Sequence, residues 1–176
     1  MTRIRIVPVN VIDGTFLSRL GLCLEERFLY KCEVEPPLVV PRGAINGARG
    51  QMFANALSAK ILNACGGDGD LLLGVTDFDL YKTSQRFVFG YSDERQRTAI
   101  ISLHRFKGES YGEPGDANML FQRTVKEAVH QLGHALRLGH CFNARCAMYF
   151  SNSVFETDNK WSYFCDACDR RCRARN

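Results

Sequence analysis

Metal-ligating side chains are crowded into one end of this chain, and that crowding constrains it more than any other feature. Three of its four histidines, His130, His134 and His140, and five of its eight cysteines, Cys141, Cys146, Cys165, Cys168 and Cys172, lie between positions 130 and 172. The opening stretch breaks its apolar run with Arg5, Pro8 and Asn10, and no uncharged apolar run of about 18 residues occurs anywhere. The expectation is therefore a cytoplasmic protein with no membrane segment. In such a reducing compartment, close cysteine pairs hold metal more often than they form disulfides. The C-terminal third is expected to carry the chemistry.

The remainder must supply the scaffold. With 176 residues, 45% of them hydrophobic, and a formal net charge of +4, disorder is excluded, and no collagen or heptad period runs through the sequence. The run Arg170-Arg171-Cys172-Arg173-Ala174-Arg175 reads as a solvated basic tail rather than a nucleic-acid patch. Alternation predicts a strand over Arg3 to Ile12, and Asp13-Gly14-Thr15 offers capping chemistry for a helix over Phe16 to Leu29. Further strands are expected near Tyr30 to Val34, Leu71 to Thr76, Gln85 to Tyr91 and Thr98 to Leu103, with a second helix over Gly47 to Cys65.

The longest helical signal runs from Asp116 to about Leu138. Phe121, Val125, Ala128, Leu132 and Ala135 form one apolar stripe, which leaves His130 and His134 on the opposite side beside Arg123 and Glu127. Histidines at i and i+4 lie about 40° apart around a helix, so both can reach one zinc at Zn–N near ~2.0 Å. His140 joins them only if the chain leaves the helix and turns back, and Gly139 permits that turn. The pairs Cys141/Cys146 and Cys165/Cys168 supply four soft thiolates suited to a closed tetrahedral zinc site. Cys172 is an alternative ligand, with Cys168 favoured by its tight spacing from Cys165.

Taken together, His130 to Cys168 resembles the archaemetzincin signature, His-Glu-x2-His-x2-Gly-x2-His-Cys-x4-Cys-x-Met followed after about seventeen residues by Cys-x2-Cys. His140-Cys141, Cys146-Ala147-Met148 and Cys165-Asp166-Ala167-Cys168 carry the match, while Gln131 stands where the family has its general-base glutamate and Arg137 where it has glycine. The resemblance implies a metzincin-like α/β fold: a mixed twisted sheet with helices in an N-terminal lobe (1–139), an active-site helix, and a small irregular zinc-stapled C-terminal lobe (140–176). It implies two zinc ions, a catalytic-type one on His130, His134 and His140 and a structural one on Cys141, Cys146, Cys165 and Cys168, with Met148 as the floor of a Met-turn. It also places the strand around Phe87 to Tyr91 on the rim of a peptide-binding cleft.

A zinc peptidase acting on peptide or protein substrates is the reading that follows, with no nucleic-acid or membrane partner expected. Gln131 keeps a hydrogen bond but accepts no proton, so hydrolysis should be strongly reduced. With Arg137 in place of glycine, the left-handed residue that ends the helix is expected to move to Gly139. Glu127, one turn before Gln131, reads as a second carboxylate that does not act directly. Two alternatives stay open: a catalytically dead peptide-binding pseudoprotease, and a zinc-ribbon nucleic-acid binder.

Overall fold

Residues 71–76 form a strand, β4 (Leu71–Thr76), that is buried at every position. A continuous apolar strand of this kind belongs inside a sheet covered on both faces. In the computed structural model, which describes residues 2–40, 42–67 and 69–174, it is the middle of five strands. On one side lie β1 (Arg3–Val9) and β2 (Lys31–Val34), and on the other β8 (Thr98–Ser102) and the edge strand β7 (Gly90–Asp93). The first four are parallel, and β7 runs antiparallel to β8. Three helices cover this mixed sheet: α1 (Gly14–Phe28), α2 (Ala54–Cys65) and α3 (Ala117–Ala135). Ile4, Ile6, Leu73 and Ile101 meet α1 and α3 on one face, whereas Val7, Leu72 and Ile100 meet α2 on the other. Among the described residues, no helix is long and apolar enough to cross a membrane.

Local chemistry accounts for most boundaries. Asp13 accepts a hydrogen bond from the Phe16 N–H and starts α1, and Asp116 accepts from Asn118 and Met119 and starts α3. The first strand stops at Val9, short of the expected Ile12, because Asn10 turns to φ 61° and its side chain accepts from Val40. The helix expected over Gly47 to Cys65 begins only at Ala54. Gly50 sits at φ 64°, and β3 (Met52–Phe53) pairs with β5 (Leu80–Lys82), so Met52 reaches the core from a strand rather than from a helical turn.

The strand expected over Gln85 to Tyr91 is two strands in different sheets. β6 (Gln85–Val88) completes a small three-stranded sheet with β3 and β5, and the chain then crosses to β7. Gly90 makes the crossing possible, since a Cβ there would lie 2.6 Å from the Ile100 carbonyl and 2.7 Å from Gln131 Cγ.

Beyond α3 the chain is irregular, as expected, except for α4 (Val154–Asn159) and α5 (Asp166–Arg173). This segment overturns the one-sided picture of α3. The face opposite the apolar stripe is not open: Arg123 is 2% exposed, and its guanidinium grips Asp158 through two bonds of 2.8 and 2.7 Å while also donating to the Phe106 carbonyl. Lys126 donates to the Asp158 carbonyl. Polar residues on this helix thus mark a second interface, where charged side chains reach defined partners, rather than a solvated face. In the terminal basic run, Arg173 pairs with Asp169, and Arg175 lies outside the described residues.

Candidate metal centre and cleft

The end of α3 aims the histidines. Leu138 N–H donates to the Gly133 carbonyl and Arg137 N–H to that of His134, a Schellman closure that requires a left-handed residue directly after the cap. That residue is Arg137, at φ 63°, while Gly139 keeps an ordinary conformation. The expected shift to Gly139 is therefore wrong: the two closing bonds fix the left-handed position at 137, and Gly139 lies outside them. The turn carries Leu138 back so that its carbonyl meets His134 Nδ1 at 2.8 Å.

The ring nitrogens then follow from hydrogen-bond logic. His130 Nδ1 lies 2.7 Å from the Ala147 carbonyl, and carbonyls only accept, so His130 and His134 both carry their protons on Nδ1. Their Nε2 atoms are bare lone pairs 3.1 Å apart, and His140 Nε2 lies 3.2 Å from that of His134. Lone pairs facing each other at this distance repel unless a cation lies between them. A tetrahedral zinc at ~2.0 Å from each nitrogen would space its ligands about 3.3 Å apart, so the donor set fits that ion. Burial first, then Lys160, pushes His130 well below its usual pKa, and burial also lowers His134 and His140. All three are thereby held in the neutral form that binds metal.

Met148 is fully buried, in the apolar cluster shared with Leu132 and Ala135. Its thioether packs directly against Gly133: a Cβ there would lie 2.4 Å from Met148 Sδ, so the buried side chain would have to shift. Gly133→Ala is expected to cost about 1–3 kcal/mol, typical of overpacking, read as a lower denaturation midpoint. Gly139→Ala, which meets open space, should change the midpoint little. Equal effects from the two substitutions would remove this role for Gly133.

The structure also brings together Cys141, Cys146, Cys165 and Cys168, with all four Sγ atoms within 4.8 Å of one another. The 3.8 Å between Cys141 and Cys165 matches the separation of about 3.8 Å expected of thiolates on a tetrahedral zinc at Zn–S ~2.3 Å. Backbone N–H groups of Met148 and Cys165 point at Cys146 Sγ. Although burial alone would raise it, the Cys165 thiol is drawn down to about 7 by hydrogen bonds from the Cys168 backbone and the neighbouring thiols. Cys172 is buried on α5 outside this group.

An open cleft of about 630 Å³ runs past the histidines, between β6 and β7 on one side and Phe150 to Asn152 on the other. Gln131 and Glu127 both border it, and each is less than 10% exposed. Gln131 Nε2 donates to Glu127 Oε1 at 2.7 Å. Lys160, 3% exposed, donates to the carbonyls of Ala147 and Tyr149 from the wall beside His130, and its burial lowers its pKa. Sequence reasoning missed Lys160 and Gly133, and it gave Glu127 no partner. Only the Glu127/Gln131 spacing of one helical turn signalled any of these contacts.

The helix that packs on this parallel-rich sheet sets an i, i+4 histidine pair against a returning third histidine. The model of Peptidase family M54 matches residues 30–174, and the chain belongs to that family. It is 39% identical to an archaemetzincin of Methanocaldococcus jannaschii over 98% of this chain and 94% of that one. It is 48% identical to an archaemetzincin of Thermococcus kodakarensis over 56% of this chain, where the match spans about half of that relative's length (53%). Among solved structures, archaemetzincin from Methanopyrus kandleri superposes with a TM-score of 0.85 at 30% identity, covering 99% of this chain and 94% of that one. Archaemetzincin from Archaeoglobus fulgidus gives 0.82 at 30% identity, covering 97% and 99%.

Proposed function

We propose that this chain is a cytoplasmic peptide-binding metallopeptidase with a zinc on His130, His134 and His140, a second zinc on Cys141, Cys146, Cys165 and Cys168, and hydrolysis held low by Gln131. The observation that carries this reading is the pair of bare Nε2 lone pairs 3.1 Å apart, with a third Nε2 beside them. When bound, zinc supplies Lewis acidity toward a peptide carbonyl and toward water. The protein's own groups do the rest. The Ala147 and Leu138 carbonyls hold two imidazoles in their tautomer and orientation. The free edge of β7 borders the cleft and offers backbone donors and acceptors to an extended peptide. Gln131 occupies the position from which a carboxylate would take a proton, and its amide takes none.

Residues 1–139 and 140–176 are read as two lobes of one catalytic unit, supported by an apolar cluster that contains both Ile6 and Leu73 of the sheet and Cys146, Ala147 and Met148. Elemental analysis should return two zinc ions per chain, and a count of zero or one overturns the reading. His134→Ala is expected to remove one of them with an unchanged far-UV spectrum. The half-buried ring contributes a single backbone hydrogen bond to the fold, worth about 1 kcal/mol. Collapse of the fold in this variant would make His134 a packing residue instead.

A further inference from the structure

Gln131 and Glu127 form a carboxylate–amide pair whose direction is fixed by chemistry. A carboxylate only accepts, so the atom 2.7 Å from Glu127 Oε1 must be the amide nitrogen of Gln131; the reverse setting would press two oxygens together. Gln131 Oε1 then points away from Glu127. No hydrogen bond to it is formed among the described residues, and Gln131 lines the cleft. The stem of Gln131 is pinned as well, since it packs so closely on the backbone at Gly90 that even a methyl group there would collide with Cγ. We propose that Glu127 is a positioning residue: its carboxylate holds Gln131 by Nε2 and so presents Oε1 to the cleft as a fixed hydrogen-bond acceptor beside the three imidazoles.

This assignment gives the buried carboxylate a task that direct proton transfer does not require. An unheld glutamine would offer either its donor or its acceptor to a ligand. Held by Glu127, it spends one of its two N–H groups on that carboxylate and keeps Oε1 fixed as an acceptor, the hydrogen-bonding role that a carboxylate at 131 would also play. The site therefore selects ligands that bring an N–H or O–H to this point: peptide amides and hydroxamic acids.

The inference rests on the metal centre proposed above, so its test has an arm that needs no metal. In the 15N-labelled chain, the Gln131 side-chain amide proton bonded to Glu127, assigned by its loss in Gln131→Met, should exchange with solvent about tenfold or more slower than those of exposed Gln96. The slow exchange should appear with and without zinc and disappear in Glu127→Met. In the zinc-loaded protein, Glu127→Met should weaken acetohydroxamic acid by about tenfold, the worth of one oriented hydrogen bond. Exchange at the Gln96 rate in the unsubstituted protein overturns the proposal, whatever the variant does. So does slow exchange that survives Glu127→Met. Failure of the hydroxamate to bind either protein, with the exchange result as expected, counts against the metal centre and leaves the amide lock standing.

Discussion

Cys165→Ser releases the metal from the four-thiol cluster and loosens the chain from His140 to Arg173. This is the expected result because so little else orders that stretch. Its regular structure is two short helices, α4 and α5, and two of its deepest side chains, Cys146 and Cys168, are themselves members of the cluster. In peptides that fold around structural zinc, binding contributes roughly 10–16 kcal/mol of apparent folding free energy, and removal of one ligand of four forfeits a large part of it. The damage spreads to the histidines by two short links. Cys141 N–H donates to the Met148 carbonyl, and the neighbouring Ala147 carbonyl holds His130 Nδ1. Zinc content should therefore fall by more than one equivalent in dilute solution, with a fall in melting temperature. Cys172→Ser is the matched control and should keep both metals, since Cys172 stands outside the cluster. Loss of zinc from the control but not from Cys165→Ser would show that the ligand set had been drawn wrongly.

How far the sequence could be read depended on whether the determining chemistry was local. Asp13 and Asp116 cap the helices they precede, and the all-apolar run of β4 sits at the sheet's centre, because caps and continuous burial act within a few residues. The convergence of both side-chain clusters was legible from spacing, since two histidines one helical turn apart and two cysteine pairs leave few other ways to meet. The errors share another origin. Met52 keeps helical spacing with α2 yet belongs to β3, because its partner, Leu80, lies far along the chain. The Gln85–Tyr91 run reads as one strand until Gly90 meets the backbone of Ile100. Spacing places Arg123 and Glu127 on the face opposite the core and misses Lys160 altogether, since nothing in a helical wheel records that residues 146–160 fold over that face. At Arg137 the reasoning followed residue preference, but two backbone bonds decided the conformation.

The largest expected effect on chemistry belongs to position 131. Gln131→Glu restores a proton acceptor next to the first histidine. General-base catalysis is typically worth ~10²–10⁴-fold, so turnover of an unstructured peptide substrate at matched zinc content should rise by ~10²-fold or more. The new carboxylate does not arrive in an empty place. The atom it replaces donates to Glu127 at 2.7 Å, and both positions are buried, so two carboxylates at this distance share one proton and repel when both are ionised. The single variant should thus lose stability on raising the pH through the range where the shared proton leaves, and its activity should depend on which oxygen holds that proton. The swapped pair, Glu127→Gln with Gln131→Glu, escapes this conflict. There the amide at 127 donates to the carboxylate at 131, the bond is kept with its direction reversed, and the base stands one turn nearer the histidines. Turnover should rank the swapped pair above Gln131→Glu, and Gln131→Glu above the parent chain. Equal turnover in all three at equal zinc would mean that the missing base is not what limits this site. Activity in the single variant alone would mean that Glu127 must remain a carboxylate for the chemistry to proceed.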